Sequence, residues 1–436
     1  MFLYNNNIKI AIFGCGIIGI KTYYKFRKKY DVVAFIDNNL KEKDKYIYGI
    51  KVYSYKDFLE YNKNINALII ISTDKYEKEI ANQLIASNKN IYYDYIPYWC
   101  LEYNHIDYIR LKNIVNNDLD ALELIIKKMK KNLKGVIIYG NCQADGIRRF
   151  LINNVEFTEK YIIITIPPIW DRQNLKQVIN DNLLWKECNL LITQIIREEN
   201  YWGKEYSFNS IIKKLSINKK DNYTIIKIMN MKFNGYFPQD GNEVFCGYND
   251  FDWEGIQCRD KNIIKYLREN KNGDVNEFLN IIKKEDFYSK EFINNFEKEE
   301  FNRLEMLEKQ CDVHISDYIL KNYKKQVLFY CPYHPKASVV KEYAIRILEY
   351  IGIKDKDFIK EDYIEQWLDK YPYNHMCEVV YPSVIKHLGL PNEFNNKLYY
   401  LNNRIFDVPM NFDEAIQCYF DICFEKKIKD IYLSIF

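Results

Sequence analysis

The sequence predicts an α/β protein with two consecutive parallel sheets. Short β-branched runs alternate with helical patterns over the first hundred residues, and a second alternation of this kind begins near residue 135. Strand, helix and strand at this spacing form a parallel pair joined by a right-handed crossover. Because a helical segment separates the two series, we expect two domains, which a chain of 436 residues can accommodate.

The first series predicts the N-terminal domain. We expect strands over 8–13, 32–36, 67–71 and 91–93, and helices over 17–29 and 76–86. A helical pattern over 106–131 ends in a lysine-rich turn and reads as a connector. The predicted division is therefore a domain over 1–104, a helical linker over 105–134 and a larger domain over 135–436.

The second series predicts the larger domain. We expect strands over 136–139, 162–166, 190–193 and 223–228, and helices over 144–152, 175–184 and 207–215. In residues 229–258 the hydrophobic residues follow neither a helical nor a strand period. A stretch of that length inside a domain is usually functional. Helical patterns over 290–322 and 338–350 flank a strand over 327–330, and the C-terminal region reads as mostly helical.

Composition limits the classes of function. The chain has 63 Lys and Arg against 60 Asp and Glu, which gives no support to nucleic-acid binding through a broad basic field. Eleven cysteines without CxxC spacing favour reduced thiols, typical of a cytoplasmic protein. The longest apolar runs fall well short of the ~18 residues needed for membrane insertion. A homo-oligomer is compatible with the sequence.

A glycine turn stands between the first strand and the first helix. Gly14, Gly16 and Gly19 form a GxGxxG pattern, and Asp37 ends the second strand. In a Rossmann-like domain such glycines admit a tight turn, a pyrophosphate and close helix packing, while the carboxylate binds a ribose hydroxyl. NAD(P) or a nucleotide sugar is the predicted ligand. The alternative is that the glycines only pack the turn.

The region around Asp37 adds a resemblance. Together with residues 48–52 and 67–72, the run 35–38 resembles the N-terminal nucleotide-binding domain of bacterial surface-polysaccharide enzymes, such as sugar acyltransferases and nucleotide-sugar dehydratases. The resemblance covers residues 7–95. It implies nucleotide binding and supplies no reaction by itself.

A second turn has the character of a nucleophile site. Gly140, Asn141, Cys142 and Gln143 follow a strand directly and precede a helix. A side chain at Cys142 would project from the carboxyl end of the strand, near the positive helix terminus. That position can lower a thiol pKa and can bind an oxyanion through backbone N–H groups. The alternative is a buried cysteine that packs as a small hydrophobe.

Four motifs in order resemble the WcbI-type capsular polysaccharide biosynthesis proteins. They are the turn 140–143, Gln194 after its strand, the segment 233–238, and Tyr333-His334-Pro335 before a helix. The resemblance runs from Gly135 to near Tyr419. It implies an SGNH-like fold and a coenzyme A-binding acetyltransferase, with Asn141, Cys142 and Gln143 at the acyl site and His334 as the base.

The position of His334 gives it independent support. It follows the strand over 327–330, at the sheet end expected for the cysteine turn, and histidine suits proton transfer at neutral pH. His314 is the rival, in helical surroundings that favour a solvated or capping role. SGNH enzymes usually carry an acid three residues before the histidine, and Cys331 stands there. Asp312, Asp317 or a backbone carbonyl would then orient the ring.

The predicted function is transfer of an acetyl or similar acyl group from coenzyme A to a saccharide in bacterial capsule or surface-glycan assembly. Arg148, Arg149 and Lys336 are candidate phosphate ligands, and Tyr236 and Trp253 are candidate sugar platforms. No metal site is predicted. An esterase or thioesterase, and a non-catalytic nucleotide-sensing scaffold, remain alternatives.

Overall fold

The fold was analysed in a computed structural model of the chain. The structure describes residues 8–42, 44–89, 95–98, 105–130, 132–218, 222–246, 257–270, 273–370, 378–394, 399 and 410–433. The predicted strand over 91–93 and Trp253 lie outside these residues.

The first sheet is formed by the N-terminal part of the chain. Its strands are β1 (Lys9–Phe13), β2 (Asp31–Ile36), β3 (Tyr46–Ile47), β4 (Ile50–Tyr53), β5 (Leu68–Ile71) and β6 (Tyr95–Pro97). They lie in the order β3-β4-β2-β1-β5-β6, parallel except for the short β3–β4 pair. Helices α1 (Ile17–Phe26), α2 (Tyr55–Ile65) and α3 (Glu77–Ala86) connect them.

The second sheet is parallel throughout. Its strands are β7 (His105–Asp107), β8 (Lys134–Tyr139), β9 (Tyr161–Thr165), β10 (Leu190–Gln194) and β11 (Thr224–Ile228), in the order β11-β10-β8-β9-β7. The predicted α/β class with parallel sheets is confirmed.

The predicted linker over 105–134 differs from its expected form at its start. It contains two helices, α4 (Tyr108–Ile114) and α5 (Leu119–Lys130), but its first residues form β7, the edge strand beside β9. Ile106 is fully buried there. A strand of three residues is too short to show a period in the sequence, and its pairing partner is distant along the chain.

The other elements surround the second sheet. The helices are α6 (Cys142–Leu151), α7 (Val155–Lys160), α8 (Arg172–Val178), α9 (Asn182–Lys186), α10 (Phe208–Asn218), α11 (Lys261–Glu269), α12 (Val275–Ile282), α13 (Lys290–Glu308), α14 (Ser316–Asn322), α15 (Ala337–Tyr350), α16 (Glu361–Lys370), α17 (Pro382–Leu388) and α18 (Phe412–Leu433). Two antiparallel hairpins complete the fold: β12 (Asp240–Cys246) with β13 (Gln257–Asp260), and β14 (Phe329–Cys331) with β15 (His334–Pro335).

The second sheet is buried on both faces. Along β8, Val136 and Ile138 belong to the core shared with the C-terminal helices, whereas Ile137 and Tyr139 belong to the core shared with the first sheet. This alternation follows from the two-residue period of a strand. Burial on both faces is typical of parallel sheets and leaves their carboxyl edge as the place for a site.

Neither a membrane-spanning helix nor a metal-binding cluster is found among the described residues. No helix there has the length and apolar character required to span a bilayer. No group of His, Cys, Asp and Glu side chains in that part of the chain is arranged to hold a metal ion.

Candidate functional site

The turn after β8 is held by side chains of its own and of the neighbouring strand. Asn141 caps α6, because its side-chain oxygen accepts a hydrogen bond from the Gln143 N–H at 3.0 Å. A Cβ atom at Gly140 would lie 2.5 Å from Gln194 Oε1, so glycine is required for Gln194 to pack here. The helix therefore begins at Cys142, directly above the strand end.

Gln194 ties this turn to the end of β10. Its Oε1 accepts from the Asn141 N–H at 2.9 Å, and its Nε2 donates to Asn141 Oδ1 at 3.1 Å and to Gln143 Oε1 at 3.3 Å. Neighbouring parallel strands end at the same edge, which is why residues more than fifty positions apart meet here. The predicted motif residue Gln194 thus supports the turn and its cap.

Cys142 is half-buried in the first turn of α6. Burial and then the Asp145 carboxylate raise the pKa of its thiol to about 12, although the N–H groups of Cys142 and Gln143 favour the thiolate. The expectation that the helix terminus lowers this pKa is therefore wrong for the net effect. At neutral pH the side chain is a thiol.

The hairpin that carries His334 lies against the same turn. Gln143 Nε2 donates to the Tyr333 carbonyl at 2.8 Å and to the Met231 carbonyl at 3.1 Å, while Gln143 Oε1 accepts from the Met231 N–H at 2.9 Å. Gln143 is fully buried. The structure thus brings together the two stretches, around 142 and around 334, that the sequence placed at one edge.

His334 is half-buried at the start of β15, opposite Cys331 in the hairpin. Burial lowers the pKa of its imidazole to about 4, so the ring is neutral at pH 7. Its Nδ1 lies 3.2 Å from the Cys331 sulfur. The position where an acid was sought is therefore occupied by a thiol in direct contact with the ring.

The other candidate base, His314, and the two carboxylates considered as partners of the His334 ring have contacts elsewhere. His314 is exposed, and its Nε2 lies 3.3 Å from the Cys311 carbonyl, in keeping with the solvated or capping role. Asp312 accepts from the Lys227 N–H at 2.7 Å, and Asp317 is paired with Arg346. These contacts give neither carboxylate a part in orienting His334.

The predicted phosphate ligands on α6 face a carboxylate. Arg148 Nε donates to Asp145 Oδ1 at 2.8 Å, and Arg149 Nε donates to Asp145 Oδ2 at 3.0 Å. Burial opposes ionisation of Asp145, but the two guanidinium groups outweigh it and lower the pKa of the carboxyl. Lys336, half-buried at the N-terminus of α15, lies 5.5 Å from the centre of the Tyr330 ring.

Two cations beside Tyr333 were not predicted. Lys232 Nζ lies 4.5 Å and the Arg259 guanidinium 5.0 Å from the centre of the Tyr333 ring, and Lys232 also donates to the Tyr333 hydroxyl at 2.9 Å. Both approach Asp240, at 3.8 and 3.3 Å. In a chain with 63 basic residues, no sequence signal distinguishes these two.

The candidate sugar platform Tyr236 is a core residue. Its ring is fully buried, and its hydroxyl donates to the Tyr323 carbonyl at 2.5 Å and to the Gln326 carbonyl at 3.2 Å. The prediction that it faces a ligand is wrong, because its ring packs against the rings of Phe233, Tyr323 and Phe394 in the core.

The glycine turn of the first domain has the steric requirements that the fingerprint predicts. Gly14 has φ +117°, and a Cβ at Gly19 would lie 1.8 Å from the Gly14 carbonyl oxygen. A Cβ at Gly16 meets nothing within 4 Å, so that backbone is open to approach. Asp37 accepts from the Asn39 N–H at 2.8 Å at the end of β2. Whether a nucleotide binds here stays a prediction.

The fold and this edge define the class: an α/β protein whose candidate site joins a cysteine turn to a histidine hairpin. Residues 135–356, just over half of the chain, match the family described as polysaccharide biosynthesis enzyme WcbI, and the chain belongs to that family. Residues 6–92 match the family described as C2185-like, N-terminal. A search of curated proteins gives no match.

Solved structures give one informative likeness. A WcbI structure, described as native protein without a disulfide bond between coenzyme A and one of its cysteines, is 20% identical, with a TM-score of 0.53. The match covers 67% of this chain and 90% of that one. At this identity the likeness shows a shared fold.

Two other structures are less similar. UDP-D-quinovosamine 4-dehydrogenase from Vibrio fischeri is 22% identical, with a TM-score of 0.17 over 19% of this chain and 71% of that one. RSP, a Rex-family repressor, is 17% identical, with a TM-score of 0.18 over 21% and 52%. Such TM-scores carry no conclusion about this chain.

Proposed function

We propose that this WcbI-family protein transfers an acetyl or similar acyl group from coenzyme A to a saccharide hydroxyl during capsule or surface-polysaccharide assembly. The observation that carries the proposal is the contact of Gln143 with the Tyr333 carbonyl, because it joins the Cys142 turn to the His334 hairpin. The coenzyme A named for the solved WcbI structure supports the choice of acyl donor.

In this mechanism His334 is the general base. Its neutral ring accepts the proton of the saccharide hydroxyl, and the oxygen attacks the thioester carbonyl. Backbone N–H groups in the first turn of α6 stabilise the resulting oxyanion. When the carbon–sulfur bond breaks, the coenzyme A sulfur leaves and takes the proton from His334. The products are the acyl ester and the free thiol.

The state of Cys142 favours this direct route. A nucleophilic cysteine reacts as a thiolate, and a pKa of about 12 leaves almost none at pH 7. A transient acyl-thioester on Cys142 would need a base for that thiol as well as for the acceptor. The backbone of the turn, in contrast, can bind an oxyanion whatever the charge of the side chain.

The phosphates of coenzyme A require cations near this edge. Lys232 and Arg259 meet at Tyr333, the residue before His334, and Lys336 follows two positions later. Lys232 and Arg259 share the Asp240 carboxylate much as Arg148 and Arg149 share Asp145, so the preference for Lys232, Arg259 and Lys336 rests on their position beside the His334 hairpin.

For the first domain we propose nucleotide binding at the glycine turn, with a dinucleotide or a nucleotide sugar as the ligand. The open backbone at Gly16 and the carboxylate of Asp37 at the neighbouring strand end support this. In this proposal the first domain positions or senses a nucleotide-linked substrate while the second performs transfer.

The test begins with mass spectrometry of the purified protein, to detect retained coenzyme A or nucleotide. Acetyl-CoA consumption is then measured with and without surface polysaccharide from the source cells. We expect consumption to require the glycan, and His334→Gln to lower the rate by about 10²- to 10⁴-fold. Turnover without glycan would favour the esterase alternative, and binding without turnover would favour the scaffold.

The Cys142→Ser variant distinguishes oxyanion binding by the backbone of the turn from nucleophilic attack by the Cys142 thiol. If the backbone binds the oxyanion, the serine variant retains transfer within about tenfold and no acyl adduct forms on the wild-type cysteine. Cys418→Ser is the matched control, because Cys418 is also half-buried on a helix, and burial and then Asp421 raise the pKa of its thiol. A trapped acyl group on Cys142, with loss of transfer in the serine variant, would establish the acyl-enzyme route instead.

A further inference from the structure

Two large aromatic rings are exposed at the carboxyl edge of the second sheet. Trp170, in the loop after β9, has 58% of its surface exposed, and Tyr201, in the loop after β10, has 81%. Among the described residues, neither ring belongs to a core cluster. Single exposed apolar side chains are common, but this edge is where parallel sheets bind their ligands.

The loop of Trp170 lies against the Cys142 turn. The sheet order places β8 between β10 and β9, so the loops after β9 and β10 flank the turn that follows β8. The buried Ile169 donates its N–H to the Gly140 carbonyl at 3.0 Å. Trp170 is therefore one residue away from a direct contact with the candidate site.

The loop of Tyr201 is held by the side chain of Asn200. Its Nδ2 donates to the Arg197 carbonyl at 2.7 Å and to the Gly203 carbonyl at 2.9 Å. Its Oδ1 accepts from the Trp202 N–H at 2.8 Å and from the Gly203 N–H at 3.0 Å. These bonds order the backbone on both sides of Tyr201 while its ring stays exposed, so a ligand would meet a preformed loop.

A cleft continues this surface toward β11. It begins at Ile195, directly after Gln194, and has a volume of about 630 Å³, within the usual range for small-ligand sites. Carboxylates and amides line it together with one aromatic ring, namely Glu198, Glu199, Asn209, Gln310 and Phe208. On the opposite side of Tyr201, the Arg172 guanidinium lies 5.8 Å from the centre of the ring and joins this loop to the loop of Trp170.

This combination of groups matches the chemistry of a saccharide. Sugar hydroxyl groups donate to carboxylates and exchange hydrogen bonds with amides, whereas the C–H groups on the face of a sugar ring pack against the negative face of an aromatic ring. The cleft carries two carboxylates, Glu198 and Glu199, and two cations, Arg197 and Lys227. Its charges therefore balance, which gives no net attraction for the phosphates of coenzyme A.

We propose that the loops after β9 and β10 bind the acceptor saccharide, with Trp170 and Tyr201 as the platforms for its sugar rings and the cleft as a further subsite. The role of this saccharide as acyl acceptor rests on the proposed function, whereas its binding does not. The platforms take the place of Tyr236, whose ring is in the core.

Isothermal titration calorimetry tests the binding with oligosaccharides released from the purified surface polysaccharide of the source cells. Trp170→Ala and Tyr201→Ala should each weaken binding by about three- to tenfold, the usual effect of losing one aromatic contact. Because both rings are exposed, thermal unfolding should hardly change. In the transfer assay the KM for the glycan should rise by the same factor, while kcat and the KM for acetyl-CoA stay unchanged.

Matched variants separate the aromatic face from mere bulk. Trp170→Phe keeps an aromatic face and should retain most of the affinity, whereas Trp170→Leu keeps an apolar side chain and should lose it as the alanine variant does. Tyr363→Ala is the control, because Tyr363 on α16 is 64% exposed. Nearby, the Ile359 N–H donates to the Asn153 carbonyl, beyond the end of α6 opposite Cys142, so this control should bind the oligosaccharides like the wild type.

The outcomes distinguish this site from the proposed function. Absence of oligosaccharide binding to the wild type, or binding that survives both alanine variants, overturns the site even if acetyl transfer is found. A rise in the KM for acetyl-CoA in Trp170→Ala, with glycan binding unchanged, assigns the ring to the coenzyme and also overturns it. Binding that depends on both rings, in a protein that consumes no acetyl-CoA, refutes the transferase and supports the saccharide site.

Discussion

Gln143 is the side chain whose removal should do most damage to the candidate site. It makes four hydrogen bonds from a fully buried position: two donated by Nε2 to the Met231 and Tyr333 carbonyls, and two accepted by Oε1 from the Met231 N–H and Gln194. Gln143→Leu keeps a similar volume and removes all four. The partner groups stay buried and lose their bond to this side chain.

The magnitude follows from those contacts. A buried hydrogen bond contributes about 1 kcal/mol net, and a buried group left without its partner costs about 1–3 kcal/mol. With four contacts in one network, Gln143→Leu should lower the free energy of unfolding by about 4 kcal/mol. The loss falls on the second domain, because every partner belongs to it.

Urea unfolding followed by circular dichroism and fluorescence measures this loss. Gln177→Leu is the matched control, because Gln177 is exposed on α8 and its side chain, in the described contacts, bonds within its own helix. The one described bond outside the helix is accepted by its backbone carbonyl from Lys112, and the substitution keeps that group. The control should stay within about 0.5 kcal/mol of the wild type. A loss below about 1 kcal/mol for Gln143→Leu would refute the claim that this network joins the turn to the histidine hairpin.

Three further predictions concern the rest of the molecule. Gly19→Ala should cost more than about 2 kcal/mol in thermal unfolding, because its Cβ would lie 1.8 Å from a carbonyl oxygen, whereas Gly16→Ala should cost less than about 1 kcal/mol, the difference between glycine and alanine at a helix N-cap. Arg110→Ala should cost about 3 kcal/mol in urea unfolding, since the buried Glu77 carboxylate loses the cation at 2.5 Å. Between pH 6.5 and about 4 the unfolded chain binds a proton that native His334 does not, so stability should fall as the pH is lowered, by at most ~3.4 kcal/mol from this residue. His334→Gln should flatten that part of a Tm–pH curve.

Most of the fold was predictable because its signals are local. The longer strands of both sheets are rich in β-branched residues, and GxGxxG and the turn 140–143 mark where strands give way to helices. The helix α2 and the short hairpin β3–β4 were missed although they are local, whereas other missed elements depend on distant partners. β7 has three residues and forms only against β9, and β12 pairs with β13 inside a stretch that shows no period.

The candidate site was predictable in position and less so in chemistry. The sequence placed the strand before His334 at the same sheet end as Cys142, but β14 pairs with β15 in a separate antiparallel hairpin. The hairpin lies against the Cys142 turn through the bond from Gln143 to the Tyr333 carbonyl, not through a shared strand end. The spacing of Cys331 three residues before His334 was visible, but contact between them requires a hairpin that the sequence pattern did not indicate. The protonation state of Cys142 depends on burial, which the sequence does not show. Burial raises the pKa of the thiol, whereas the helix terminus alone would lower it.

Asp145 explains why two arginines on α6 do not stabilise a thiolate at the Cys142 turn. Its carboxylate accepts hydrogen bonds from Arg148 and Arg149, so both positive charges are paired one helical turn away from the Cys142 thiol. The same carboxylate adds to burial in raising the pKa of Cys142. A site built to generate a thiolate would present the guanidinium groups to sulfur and place the carboxylate elsewhere. The arrangement found here suits the proposed route, in which the turn offers N–H groups to a developing oxyanion and the neutral imidazole of His334 takes the proton.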